Sequence, residues 1–290
     1  MARPIKSFEY FEPSTINEAT QLLSTYRPKA KVLAAGVDLI IRMRKRLIEP
    51  QYVVSIMNIP GLTDIGNDEE SLRFGAMTTL MSLERLLKGD KTYPAIYEAI
   101  HNLASTQVKN TATLVGNLCV ATPASDMASA LYALGAKLKI SGVSTERIVA
   151  IEDFYLGVGK TVLQPDEIVT EVIVPRPGSN SGNAFLNLLR VKCDVSKVNV
   201  SVSLAADNDR CKEVKIALGA VAPTIVRAKQ AEEILLKENS FEKAVEEAAQ
   251  AAAMEVTPIT DLRSTAEYRQ EMVKVLVKRA LEKAWARAKE

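Results

Sequence analysis

The chain has few of the residues that build a metal centre. Its 290 residues include one histidine, His101, and three widely separated cysteines, Cys119, Cys193 and Cys211. No Cys-x-x-Cys pair occurs, so we expect no zinc site, no iron–sulfur cluster and no disulfide framework held by this chain alone. The lone histidine has no partner motif, and we expect it to be structural rather than a catalytic base.

The chain also lacks an excess of charge and a long apolar run. Its 37 Lys and Arg nearly balance its 35 Asp and Glu, which leaves a formal net charge of +2. This balance offers no electrostatic basis for binding nucleic acid or a membrane surface. No run of ~18 apolar residues and no signal segment is present, so we expect a cytoplasmic protein.

The two best-known nucleotide motifs are missing as well, since neither G-x-G-x-x-G nor G-x-x-x-x-G-K-[ST] occurs. Residues 111–126, TATLVGNLCVATPASD, instead combine small and hydroxyl side chains with a Gly-Asn pair and contain no basic or aromatic residue. Small residues let a backbone approach a ligand closely, and hydroxyl, amide and N–H groups hold phosphate and sugar oxygens. The stretch favours a nucleotide-type ligand, and an ordinary turn leading into a helix remains the alternative.

A second stretch, residues 32–39 (VLAAGVDL), predicts a short strand, a turn of small residues and then an acid. This layout is typical of a phosphate-binding loop. About 80 residues separate the two stretches, so a single ligand bound by both would bridge two halves of a domain. The basic run that follows, residues 42–46, is expected to be a solvated face.

Together the two stretches resemble the FAD-binding signatures of the flavin subunit of molybdenum hydroxylases, the family of carbon monoxide dehydrogenase and xanthine dehydrogenase. Residues 34–39 match a signature of the form A-G-G-[TH]-[DS]-L, and residues 113–126 match T-[IL]-G-G-N with a later Pro and Asp. The opening residues 8–13, the segment 163–169 and the length extend the resemblance over nearly the whole chain. Arg190 and Asp194 match an Arg and an Asp that the family places after its first C-terminal strand.

The resemblance implies a set of cofactor-binding residues, no catalytic residue and no metal ligand in this chain. The set is Leu33, Ala34, Ala35, Gly36, Val37, Asp38, Leu39, Thr113, Leu114, Val115, Gly116, Asn117, Asp126 and Val169. Each signature has lost one glycine, to Ala35 and to Val115. If either glycine served a positive backbone φ, the replacement would be costly, whereas a glycine needed only for close approach can be replaced. We expect both residues to have negative φ.

The pattern of elements predicts an α+β fold. The resemblance implies a two-part FAD-binding domain of the vanillyl-alcohol oxidase / p-cresol methylhydroxylase type over residues 1–176, with subdomains of about 1–57 and 58–176. Residues 175–183, rich in Pro, Gly, Ser and Asn, indicate a linker. From 184 to 290 we predict a C-terminal domain of three strands (184–190, 198–204 and 214–221) and three helices (228–236, 241–254 and 266–288) on one face of the sheet.

Three functions follow from these expectations. By resemblance, the chain is an electron-transfer subunit that holds FAD and works with a molybdenum-cofactor large subunit and a [2Fe–2S] small subunit, in a dimer of heterotrimers. One alternative is a stand-alone NAD(P)H-dependent flavin reductase. The other is a degenerate module that keeps the fold for assembly without FAD, which the two lost glycines would favour.

Overall fold

The computed structural model describes residues 4–290. Its strands are Glu9–Phe11 (β1), Ala30–Leu33 (β2), Tyr52–Ser55 (β3), Ile65–Asn67 (β4), Ser71–Gly75 (β5), Lys137–Ser141 (β6), Glu146–Ala150 (β7), Tyr155–Gly157 (β8), Lys160–Thr161 (β9), Ile168–Pro175 (β10), Ser181–Leu188 (β11), Val198–Asp207 (β12), Arg210–Gly219 (β13) and Val226–Arg227 (β14). Its α-helices are Ile16–Tyr26 (α1), Leu39–Arg44 (α2), Leu80–Leu86 (α3), Pro94–Asn102 (α4), Thr106–Thr111 (α5), Leu114–Cys119 (α6), Asp126–Ala133 (α7), Lys229–Lys237 (α8), Phe241–Met254 (α9) and Ala266–Ala288 (α10).

The first unit is a small parallel sheet with strand order β1-β3-β2. Helix α1 connects β1 to β2, and its start follows from the Thr15 side chain, which accepts a hydrogen bond from the Glu18 N–H at 3.1 Å. The Glu18 carboxylate in turn accepts from the N–H of Ser14 at 2.8 Å. These contacts satisfy N–H groups that the first helical turn leaves without partners, as the Thr-x-x-Glu spacing predicts.

The second unit is a five-stranded antiparallel sheet with order β4-β5-β10-β6-β7. Helices α3 to α7 all lie between β5 and β6 in the chain, so the sheet and these helices enclose one hydrophobic core. Two short helices, α5 and α6, occupy a region in which the sequence predicted no helix. They begin where Ser105 and Thr113 accept hydrogen bonds from the N–H groups of Val108 and Gly116, and such caps stabilise even one or two turns.

The C-terminal unit is an antiparallel sheet of order β11-β12-β13-β14, with α8 and α10 packed against it and α9 packed on these two helices. The three predicted strands are present, and the two-residue strand β14 adds a fourth by pairing with Ala217 and Leu218. Strand β11 begins at Ser181, inside the predicted linker, because residues 181–188 pair continuously with residues 198–205. The irregular part of the linker is therefore shorter than expected.

Both faces of the C-terminal sheet are covered, although the sequence predicted helices on one face only. Even-numbered side chains of β12, from Val198 to Leu204, lie in the core formed with α8, α9 and α10. Odd-numbered Asn199 and Ser201 are fully buried on the other face, where α7 packs against β12. Successive side chains of a strand point to opposite faces, so β12 joins the C-terminal helices to the N-terminal domain.

The described part of the chain, residues 4–290, holds no helix that combines the length and the apolar character needed to cross a membrane. Cys119, Cys193 and Cys211 are all free thiols.

Candidate functional site

The first predicted segment, residues 33–39, forms the turn between the end of β2 and the start of α2. Gly36 adopts a φ of +75°, the left-handed region that side chains rarely tolerate. A Cβ atom at this position would lie 3.0 Å from Cγ1 of Ile40. Glycine is required here for both reasons, and it is the glycine that this chain retains from the first signature.

The backbone of this turn offers unused donors. Within residues 4–290, none of the five N–H groups from Ala34 to Asp38 donates a hydrogen bond. All five residues are half-buried, so their N–H groups are open to water or to a ligand. N–H groups around a left-handed residue, followed by the start of a helix, suit the oxygens of a phosphate or pyrophosphate. The turn therefore fits the phosphate end of the implied cofactor.

The second predicted segment folds into the short helix α6. Thr113 caps it, accepting from the N–H of Gly116 at 3.0 Å. A Cβ at position 116 would lie 2.7 Å from the Thr113 Oγ1 atom, so close approach explains this glycine. The side chains of Leu114 and Val115 are buried in the core, which leaves their backbones as the groups that a ligand could contact.

The two replaced glycines do not distort the backbone. The residues with positive φ include neither Ala35 nor Val115. The expectation of negative φ at both positions is confirmed, because Val115 is an ordinary helical residue with its side chain in the core. The replacements therefore carry no conformational penalty, and the main sequence argument for a degenerate module is removed.

Asn117 and Asp126 are linked to a polar network rather than left open. The Asn117 Oδ1 atom accepts from the Ser125 hydroxyl at 2.8 Å. One Asp126 oxygen accepts from Ser196 at 2.6 Å and from Asn199 at 2.8 Å. The Asp126 carboxylate thus anchors α7 to the C-terminal sheet.

The other Asp126 oxygen accepts from the Asn187 amide at 3.2 Å. Three of about four acceptor positions of this carboxylate are therefore used by the C-terminal domain. Burial raises the pKa of Asp126 from 3.8 to about 6, and the three hydrogen bonds oppose that rise. Ser129, one turn further along α7, donates to Asn199 at 2.6 Å and extends the network.

Sequence reasoning did not identify Ser125, Asn187, Ser196 and Asn199 as members of this network. The sequence did indicate a buried hydrogen-bond partner for Asn199, because an amide in the middle of an apolar strand needs one. The partners of the other three could not be read from the sequence, because they lie 8 to 70 residues away along the chain.

Two more of the predicted residues, Ala34 and Val169, lie at one hydrophobic core. Val169 lies in β10, which contacts α6, and its side chain is buried. Ala34 packs against the same core that contains Leu114 and Val115. The core therefore supports both predicted segments and β10, while Asp126 points away from it toward the C-terminal sheet.

The segment after β11 carries the Arg and Asp that match the family. Arg190 Nε lies 3.2 Å from Asp194 Oδ2, and Asp194 Oδ1 accepts from the N–H of Val195 at 2.8 Å. His101 lies on α4, where its ring is half-exposed and Nδ1 is 3.0 Å from a Glu84 oxygen. Within the described residues, no cluster of three His, Cys, Asp or Glu side chains is placed to hold a metal ion.

The chain is similar to known proteins over nearly its whole length. Residues 6–177 match a family model described as "FAD binding domain in molybdopterin dehydrogenase", and residues 183–284 match "CO dehydrogenase flavoprotein C-terminal domain". The carbon monoxide dehydrogenase medium chain of Hydrogenophaga pseudoflava is 32% identical over 97% of this chain and 98% of its own length. The nicotine 6-hydroxylase medium subunit of Paenarthrobacter nicotinovorans is 31% identical over 98% of this chain and 99% of its own length.

The fold is similar to a solved structure of the same kind. A chain of carbon monoxide dehydrogenase from Hydrogenophaga pseudoflava matches with a TM-score of 0.94 and 33% identity, covering 99% of both chains. An identity of this order over both full lengths extends the likeness to the C-terminal sheet and its helices.

Proposed function

The chain belongs to the FAD-binding medium subunits of the molybdenum hydroxylase family, and we propose that it is the electron-transfer subunit of such an enzyme. In this role it binds FAD between the [2Fe–2S] clusters of a partner and an external electron acceptor. Flavin supplies a ring that takes up and releases one or two electrons, and the protein supplies binding, orientation and electrostatics. The relatives are named as a medium chain and a medium subunit, and these names do not support the two alternatives, a stand-alone flavin reductase and an FAD-free module.

The observation that carries this proposal is the turn after β2. Its five unpaired N–H groups, from Ala34 to Asp38, would hold the pyrophosphate, and Gly36 gives the turn its shape. The flanking Leu33 and Leu39 would pack beside it. The polar side chains of Thr113 and Asn117, with the backbone of 114–116, would hold the sugar and ribityl hydroxyls from α6.

Asp126 and Val169 complete the proposed set. Asp126 has one acceptor position left after its three hydrogen bonds to the C-terminal domain, so any contact with a cofactor hydroxyl would be a single one. Val169 is buried in β10 and would contribute backbone groups next to α6. Through Asp126 the proposed site is connected to the docking of the two domains.

The partners that we propose are a large subunit with the molybdenum cofactor and a small subunit with two [2Fe–2S] clusters, assembled as a dimer of heterotrimers in the cytoplasm. The names of the relatives, a medium chain and a medium subunit, support a complex of several different subunits. We propose no binding to nucleic acid or membrane, in line with the balanced charge of the chain.

We also propose that the chain divides into an FAD-binding domain of residues 1–176, with parts of about 1–57 and 58–176, and a C-terminal domain of residues 184–290. Two hydrophobic clusters support this division, the first formed mainly by residues before 176 with Phe185, Ala217 and Ile225 from the C-terminal domain, and the second formed by residues of the C-terminal domain alone. The two family models, which meet between residues 177 and 183, also support it.

The test is flavin binding by the purified chain and by Asn117→Ala. The parent should bind about one FAD, and the variant should lose on the order of 1–3 kcal/mol of affinity because a buried partner loses its hydrogen bond. Asn110→Ala is the matched control, since Asn110 is exposed on the neighbouring helix. A parent chain that is colourless after incubation with excess FAD and removal of the unbound FAD by gel filtration would refute the proposal, and equal affinity in both variants would refute the role of Asn117.

The relay role needs a second measurement. The isolated, flavin-loaded chain should not have its flavin reduced by the substrate of the complex, and addition of the partner subunits should restore reduction. Substrate-driven reduction with the partners absent would refute the electron-transfer assignment while leaving FAD binding intact.

A further inference from the structure

A cavity of about 520 Å³ lies between the N-terminal domain and the segment after β11. Its walls come from α3, α4 and the start of α5 on one side and from Lys192 and Cys193 on the other. None of its lining residues belongs to the proposed FAD-binding set. The cavity is therefore separate from the turn and from the helix α6 that we propose for the flavin cofactor.

The one acid of the cavity is already paired. Glu84 lies 2.5 Å from the Lys109 Nζ atom and 3.0 Å from the His101 ring nitrogen. Burial opposes the ionisation of Glu84, but the hydrogen bonds from Lys109 and His101 outweigh it and lower its pKa. Lys109 is almost fully buried, with a side chain only 6% exposed, so this pair forms a fixed part of the wall.

Three further cations of the cavity have no counter-charge. Arg85, Lys88 and Lys192 line it, and within residues 4–290 none of them forms a salt bridge or a side-chain hydrogen bond with a carboxylate. With Glu84 neutralised by Lys109, the lining carries an excess of about three positive charges at neutral pH. Like charges gathered around one concavity attract an anion and concentrate it there.

One wall of the cavity also has a flat aromatic surface. The rings of Tyr97 and His101 stack with their centroids 5.4 Å apart and an interplanar angle of 23°. Ser105, Thr106 and Gln107 also line the cavity and add polar groups to it. The cavity thus combines unpaired cations with a planar face, which is the chemistry that suits a phosphate group attached to a ring.

The cavity spans a contact between the two domains. The Cys193 thiol donates to the Ala104 carbonyl at 3.0 Å, which holds the segment after β11 against the end of α4. Lys192 comes from the C-terminal domain, while Arg85 and Lys88 come from the N-terminal domain. A ligand that neutralises all three cations would therefore contact both domains at once.

We propose that this cavity is a binding site for a small phosphate-bearing anion, held by Arg85, Lys88 and Lys192 and distinct from the FAD site. Two sources share this chemistry, inorganic pyrophosphate and a mononucleotide. Pyrophosphate would use the three cations alone. A mononucleotide would also place its base against the stacked rings of Tyr97 and His101.

The test uses the flavin-loaded chain, so that the FAD site is already filled. Calorimetric titration with pyrophosphate and, separately, with adenosine monophosphate should show one site per chain. Lys88→Ala and Lys192→Ala should each weaken binding about tenfold, the effect expected for one lost charge-assisted contact. Lys243→Ala is the matched control, since Lys243 is an exposed lysine of α9 that lies outside the cavity, and it should bind like the parent.

Two further readouts separate the outcomes. Lys88→Arg keeps the charge and should keep most of the binding, and flavin content and thermal unfolding should be unchanged in all these variants. Tyr97→Leu should weaken the nucleotide but not pyrophosphate if the base uses the aromatic face. No binding of either anion to the loaded chain, or equal binding in Lys88→Ala, Lys192→Ala and the parent, would overturn the proposal even if FAD binding is normal.

Discussion

Replacing Asp126 with Asn tests whether burial or hydrogen bonding has the larger effect on the Asp126 carboxylate at the contact between the domains. Asp126 is 3% exposed and accepts from Ser196, Asn199 and Asn187, all of which are neutral donors. Burial disfavours the charged carboxylate, and the hydrogen bonds favour it. In this structure burial has the larger effect, because the pKa of Asp126 is raised from 3.8 to about 6.

The sign of the pH dependence follows from this shift. The folded protein holds the Asp126 proton more tightly than the unfolded chain does, so the stabilisation is complete below pH 3.8 and is lost as the pH rises through about 6. A shift of about two pKa units corresponds to about 3 kcal/mol. In Asp126→Asn this contribution is absent. Because the unfolded chain is already partly ionised at pH 4, the free energy of unfolding of the parent, relative to that of the variant, should fall by about 2 kcal/mol between pH 4 and pH 7.

The variant also carries a penalty that does not change with pH. Its Oδ1 atom can still accept from Ser196 and Asn199, but its NH₂ group meets the Asn187 amide donor, which costs about 1 kcal/mol. Other carboxylates with lowered pKa, such as Glu98, titrate in both proteins and cancel in the difference.

The assay is urea unfolding of parent and variant at intervals from pH 4 to pH 7, with and without saturating FAD. Asp209→Asn is the control, because the Asp209 side chain is 91% exposed, and its difference from the parent should stay flat. A parent that gains stability over Asp126→Asn as the pH rises would refute the reasoning, since the three hydrogen bonds would then outweigh burial.

Three other substitutions test separate contacts. Gly36→Val forces a β-branched residue into positive φ and should lower FAD affinity by more than about 1 kcal/mol in a flavin titration, whereas unchanged affinity would place the cofactor elsewhere. Glu98→Ala removes a largely buried carboxylate 2.9 Å from Lys283 and should lower the free energy of unfolding by about 2 kcal/mol in urea at neutral pH. Because the pKa of Glu98 is lowered in the folded protein, the parent should lose its extra stability over the variant as the pH falls through that pKa. Gly182→Ala should cost about 2 kcal/mol, since its Cβ would collide with the backbone carbonyl oxygen of Ala284 and lie 2.7 Å from the backbone nitrogen of Ala288, both in α10. Gly178→Ala, with its nearest neighbour at 3.9 Å, should be neutral.

Local features of the fold could be predicted because they depend on residues close together in the chain. The cap at Thr15 follows from the Thr-x-x-Glu spacing, and the polar residues Asp207 to Arg210, which are typical of a hairpin turn, join β12 to β13. The three C-terminal helices differ from their predicted bounds by one residue at most. Helix α6 was missed because its six residues include Gly116 and Asn117, which are poor helix formers that the Thr113 cap compensates.

The candidate site was predictable only in part. Gly36 and the small residues beside it were predicted from the order of strand, small-residue turn and acid and from the resemblance, and the structure adds the positive φ that explains the glycine. That Ala35 and Val115 cause no backbone strain could be learned only from the backbone dihedrals. A sequence does not show whether a replaced glycine had served a positive φ or the close approach of a ligand. The anionic carboxylate of Asp126 was predicted as a ligand contact, and only the fold brought Ser196 and Asn199 to it.

Strand β12 shows most clearly which features the sequence determines and which depend on the tertiary structure. The alternation of Val198, Val200 and Val202 with Asn199 and Ser201 was enough to determine a strand with one apolar face, because side chains repeat every second residue. By that pattern alone the polar face would meet water. In the folded chain it is buried, because α7 packs on it and supplies Ser129 and Asp126 as partners for Asn199. The alternation of apolar and polar side chains follows from the local geometry of a strand. Whether the polar face meets solvent or a second domain depends on residues 70 positions away, so only the tertiary structure decides it.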